Sequence, residues 1–150
     1  MLGRKDYTRV ELDHAKEAIS QQLAAYKTLA GALSATSDKR VKSAFEALES
    51  VLFNDLVLVL DRYIVHRLRM VASKAGTPLN EVELLTESLM NKGGVLRAGN
   101  VIRYIPEQSV LKLHVGDRIK ITGADFERLA RAFFAELEKK FLSGHTTHAR

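Results

Sequence analysis

The chain has 150 residues, 46% hydrophobic and 27% charged, and no cysteine. That size suits one domain, residues 1–150, able to bury a proper core without staples. The absence of cysteine excludes disulfides, thiol nucleophiles and thiolate zinc sites, and fits a cytoplasmic protein. The formal charge of +5 and a pI near 9.6 favour anionic partners. MLGRKDYTRV has no apolar leader core, and the longest apolar run, Leu56 to Leu60, is far short of a membrane span of about 20 residues.

From Thr8 to Leu33 the pattern predicts a long amphipathic helix. Leu12, Ile19, Tyr26 and Leu33 recur every seven residues, with Ala15, Gln22, Leu23 and Leu29 between them, a coiled-coil-like seam. SATSDK breaks it, and Ser37 or Asp38 can cap a second helix running to about Ala75, where Gly76-Thr77-Pro78 stops it. At 1.5 Å per residue that helix would reach about 55 Å, too long for a compact domain of this size. Its segment Val51 to Leu60 is apolar nearly all round, which calls for burial all round. A homodimer through this region is the economical solution.

Thr77 and Pro78 open a third helix that ends at Asn91-Lys92-Gly93-Gly94, with Val82, Leu85 and Leu89 as its apolar stripe. The segments 100–105, 109–115 and 117–122 then read as strands. If Gly116-Asp117 turns a hairpin, an odd-length loop brings Leu111, Leu113 and Val115 onto one face with Ile119 and Ile121. Lys112, His114 and Lys120 then share the other face. Thr122 to Asp125 resembles a capping box, opening a last helix to about Leu142 with Phe126, Leu129, Ala130, Phe133, Leu137 and Phe141 inward. Residues 143–150 form a polar tail, expected to be disordered. The expected fold class is therefore mainly α (α+β): a long helical hairpin, a short helix, a small antiparallel β-hairpin or meander near 100–122, and a C-terminal helix.

Two constellations could carry function. Arg62, His66 and Arg69 fall on one helical face, and two guanidiniums flanking an imidazole suit a phosphate or another anion. The same charges also suit a solvated helix face. Lys112, His114 and Lys120 could contact a nucleic-acid backbone, or simply keep a strand face soluble. Asn54 and Asp61 lie on an otherwise apolar side and need hydrogen-bond partners, which suggests a structural role. No pattern for a di-metal helical bundle, a Walker loop or a serine elbow occurs, so no cofactor or metal is expected.

DRYIVHRL, Asp61 to Leu68, resembles the Arg-Asn-x-x-Val-His core of HEPN proteins. These are helical, often dimeric, metal-independent ribonucleases whose Arg and His act across a dimer interface. The resemblance implies a role for His66 alone. Three residues separate Arg62 from His66 where the family has four to six, and Asp61 stands where the family Arg would align. The reading that emerges is a small cytoplasmic homodimer, a non-enzymatic binding module with a basic anion-binding face. The alternatives are a HEPN-like ribonuclease using His66, or a nucleic-acid binder using the basic sheet face.

Overall fold

The computed structural model describes residues 7–65, 76–99 and 103–141. Four helices account for most of it: α1 (Arg9–Leu33), α2 (Lys39–Val65), α3 (Pro78–Asn91) and α4 (Gly123–Phe141). No helix among the described residues is long and apolar enough to cross a membrane. The expected continuation of α2 to Ala75 and the polar tail both lie outside the described residues.

Each helix starts where its sequence supplies a cap. Thr8 Oγ1 accepts the Glu11 amide N–H at 3.1 Å, while Glu11 Oε2 accepts that of Thr8 at 2.9 Å, a reciprocal capping box. Asp38 Oδ1 accepts the Arg40 amide N–H at 2.9 Å at the head of α2. Thr77 caps α3 through the Asn80 amide, with Pro78 in the first turn, where its missing N–H costs nothing. At α4, Asp125 takes the part usually played by Glu: its carboxylate accepts the Thr122 amide N–H at 3.2 Å, and Thr122 Oγ1 accepts that of Asp125 at 3.1 Å.

α2, α3 and α4 pack into the centre of the fold, and α1 lies on α4 and touches α2 least. Phe53 of α2 meets Phe126 of α4 at a ring-centroid distance of 5.4 Å, and Tyr26 of α1 stands edge-on to Phe53 at 4.7 Å. Each fully buried phenylalanine contributes about 2–3 kcal/mol of hydrophobic stabilisation. Gly123 is what lets α1 come so close, because a Cβ there would lie 2.6 Å from Tyr26 Cε1.

Burial corrects the helical seams. On α1 the core stripe is Leu12, Ala15, Ile19 and Leu23, while Leu29 is 43% exposed. A straight helix drifts about 20° per heptad from a strict seven-residue repeat, so by Leu29, two heptads after Ala15, the seam has turned about 40° from the contact. On α2, Phe53, Leu56, Val57 and Leu60 are buried. Val51, by contrast, is 61% exposed and Val59 36% exposed. One chain therefore buries one side of Val51–Leu60 and leaves the other uncovered.

The expected β-hairpin is absent: no strand occurs among the described residues of 103–122. The reason lies in where the backbone hydrogen bonds go. The amide N–H groups of Val110 and Leu111 donate to the Glu81 carboxylate of α3. The Lys112 amide donates to Ser109 Oγ at 2.8 Å, and Tyr104 OH donates to the Leu113 carbonyl. Pro106 opens a 3-10 turn, Pro106–Gln108, and Lys112 has a left-handed φ of 56°. Side chains thus take the bonds a strand partner would have made. Lys112, His114 and Lys120 have no sheet beneath them, and the turn from His114 to Asp117 joins no paired strands.

What pairing exists is elsewhere. Val95 and Arg118 form a single antiparallel bridge, closed by bonds of 2.8 Å from the Leu96 amide to the Asp117 carbonyl and from the Ile119 amide to the Gly94 carbonyl. Asn54 of α2 extends it: Nδ2 donates to the Ile119 carbonyl at 2.9 Å, and Oδ1 accepts the Ile121 amide N–H at 3.2 Å. A side-chain amide stands in for the edge of a neighbouring strand and seats 117–122 on the core.

Candidate functional site

The uncovered side of α2 is the first surface of interest. Leu48, Val51, Asp55, Leu58 and Arg62 follow steps of three and four, and Val59 lies beside them. Leu48 and Val51 are 48% and 61% exposed, and Leu58 is half-buried. Asp55 and Arg62 are exposed, and neither joins an ion pair among the described residues. The result is an apolar stripe interrupted by one carboxylate and closed, seven residues later, by one guanidinium.

Arg62 also borders a cleft of about 480 Å³ where the start of α1 meets the end of α2 and α4. Tyr7, Glu11, His14 and Tyr63 share its rim, above a floor of Leu12, Ala15, Phe134 and Leu137. Its volume is that of a small-molecule pocket. Burial pushes the Tyr63 hydroxyl up in pKa, so it stays a neutral donor. Of the expected trio only Arg62 can be placed here: His66 and Arg69 lie outside the described residues. Asp61, aligned with the family Arg in the HEPN resemblance, is buried, at 5% exposure. Among the described residues no three His, Asp or Glu side chains gather as metal ligands.

The third surface is the loop layer between α3 and α4. Its organiser is Glu81, a residue the sequence did not single out, 5% exposed. Its carboxylate accepts the Val110 amide N–H through both oxygens, at 2.8 and 3.0 Å, and the Leu111 amide N–H at 3.3 Å. Burial raises its pKa, and the two amides pull it partly back. A cavity of about 30 Å³ beside it, bordered by Thr77, Tyr104 and Ser109, is the size of one water. The available signal for Glu81 is position: in the first turns of α3 it lies next to Val82 and two residues after Leu79, on the side that faces the core.

The three basic residues expected to share a face are each exposed but differently engaged. Lys112 Nζ donates to the Glu107 carbonyl at 2.7 Å. His114 leans toward Asp117, with Nδ1 at 3.9 Å from its carboxylate. Lys120 is exposed beyond Ile119 and before Ile121, both buried.

Comparison with known proteins finds no family model, no curated protein and no solved structure that matches this chain.

Proposed function

We propose that this chain is a non-enzymatic, cytoplasmic interaction module that pairs with a second copy of itself through the outward stripe of α2. The supporting observation is the stripe itself: Leu48, Val51 and Val59 exposed on a helix whose opposite side is core. Its charges favour self-pairing. Asp55 and Arg62 are symmetric about the Leu58–Val59 step, so a two-fold antiparallel crossing there sets each carboxylate against the guanidinium of the other copy. The Arg62 cleft, at the end of the same stripe, gives the module a place for a small anion.

Light scattering at micromolar concentration should return twice the chain mass. Val51→Glu should give a folded monomer, because a charge set into an apolar contact costs several kcal/mol while a charge in water costs nothing. Asp55→Arg should weaken pairing, and adding Arg62→Asp should restore it. A wild-type monomer at that concentration, or a Val51→Glu dimer, refutes the proposal.

A further inference from the structure

Residues 92–122 carry six basic side chains (Lys92, Arg97, Arg103, Lys112, Arg118 and Lys120) against two acidic ones (Glu107 and Asp117). That is +4 of the chain's +5, concentrated in the layer between α3 and α4.

The bridge between Val95 and Arg118 orders part of this charge. In a paired extended segment alternate residues face opposite ways. Leu96, Ile119 and Ile121 point inward, at 1%, 2% and 1% exposure. Arg97, Arg118 and Lys120 therefore point outward, and all three are exposed. Arg118 stands opposite Val95, and Arg97, two residues after Val95, and Lys120, two residues after Arg118, flank it on opposite sides of the bridge. The Arg118 guanidinium reaches the Gly93 carbonyl at 3.4 Å, which brings it beside exposed Lys92. The four cations form a ridge.

Nothing within the described structure neutralises this ridge. Lys92, Arg97 and Lys120 join no ion pair among the described residues. Arg118 donates only to the Gly93 carbonyl, at 3.4 Å. Asp117, next to Arg118 in the chain, accepts the His114 amide N–H at 2.8 Å. The backbone that carries Arg118 and Lys120 is held by the Asn54 amide, so binding has to order only the side chains.

We propose that this ridge binds the phosphodiester backbone of a nucleic acid without reading its bases. Guanidinium groups match phosphate bidentately, and a row of fixed cations suits a row of phosphates better than scattered carboxylates. Base readout is not expected, because stacking requires exposed aromatics. Tyr104, in the same layer, is half-buried, with its hydroxyl bonded to the Leu113 carbonyl. The ridge uses none of the residues of the α2 stripe, so its variants test this binding separately from self-pairing.

The test is fluorescence anisotropy with labelled 20-mers of mixed sequence, as single-stranded RNA, single-stranded DNA and duplex DNA, between 50 and 200 mM KCl. Four phosphate contacts predict log–log salt slopes of about −2.8 for single strands and −3.6 for duplex, a weakening of about 50-fold to 150-fold across that range. Changing the sequence at constant length should alter affinity less than twofold. The triple variant Arg97→Ala, Arg118→Ala, Lys120→Ala should cut the slope to about a quarter, while Lys39→Ala with Arg40→Ala, at the far end of α2, leaves it unchanged. If the triple variant melts early, single Arg97→Gln and Arg118→Gln variants should each reduce the single-strand slope by about 0.7. No binding at 50 mM KCl with 50 μM protein overturns the proposal. So does a slope that ignores these substitutions, or equally tight binding of polyglutamate, which would make an acidic protein the partner.

Discussion

Glu81→Ala should loosen the loop layer, and its cost can be worked from three hydrogen bonds. Among the described residues the carboxylate is the only acceptor for the Val110 and Leu111 amides, at 2.8, 3.0 and 3.3 Å. An amide left unsatisfied in the interior costs about 1–3 kcal/mol. Both amides belong to half-buried residues, so water can recover part of that cost, and removing a buried charge recovers more. A net loss of about 2–4 kcal/mol follows, and with a urea slope of about 2 kcal/mol/M the midpoint should fall by about 1–2 M. Circular dichroism at fixed protein concentration reads this directly. Glu81→Gln keeps an acceptor in place and should stay much closer to wild type. The pH dependence then has a definite sign. Burial holds the Glu81 carboxyl above its ordinary value of 4.5, so the folded state keeps its proton to higher pH than the unfolded chain does. Wild type must lose stability relative to Glu81→Gln as pH rises from about 4.5 through that raised value. A midpoint shift below about 0.3 M for Glu81→Ala, or a wild type that gains on the Gln variant with rising pH, would refute the reasoning.

Gly123→Ala should lower the melting temperature by the equivalent of about 1–3 kcal/mol, because its Cβ would lie 2.6 Å from Tyr26 Cε1 and the ring would have to give up part of its packing on Phe53. Asn54→Ala should cost about 2 kcal/mol in chemical denaturation, since the Ile119 carbonyl and Ile121 amide both lose their partner, and hydrogen exchange at Ile121 should speed up. Sulfate should raise the melting temperature more than chloride at equal ionic strength, and Arg62→Ala should remove that difference. Equal shifts in the two salts would leave the Arg62 cleft without an anion.

Helices were legible because their signals are local. Thr77 and the Thr122–Asp125 pair each mark a helix start within four residues of sequence and cap as the spacing predicts, and Thr8, read only as the start of α1, caps it. The β-hairpin was misread for the opposite reason. Alternation in SVLKLHV is a strand signal only if another strand takes its backbone bonds, and here Glu81, about 30 residues upstream, takes two of them. No local pattern records that competitor. Of the proposed ridge only Lys120 is singled out by the sequence, grouped with Lys112 and His114, whose parity is broken by the left-handed Lys112. Its true companions, Arg97 and Arg118, emerge only once Val95 is known to face Arg118. Asn54 was recognised as a polar group in need of partners, and its partners proved to be main chain rather than another helix.

The bonds between Leu96 and the 116–117 turn make the chain leave and return at almost one point: the Leu96 amide donates to the Asp117 carbonyl, and the Leu96 carbonyl accepts the Gly116 amide, both at 2.8 Å. The described residues between Arg97 and Val115 are held by that gate and, at Val110 and Leu111, by the Glu81 carboxylate. Doubling such a loop costs only about 0.6 kcal/mol of closure entropy. Foreign sequence could therefore be spliced in at this gate, and the insert would be carried beside the Arg97–Arg118–Lys120 ridge without disturbing the four-helix frame, provided something in it still satisfies Glu81.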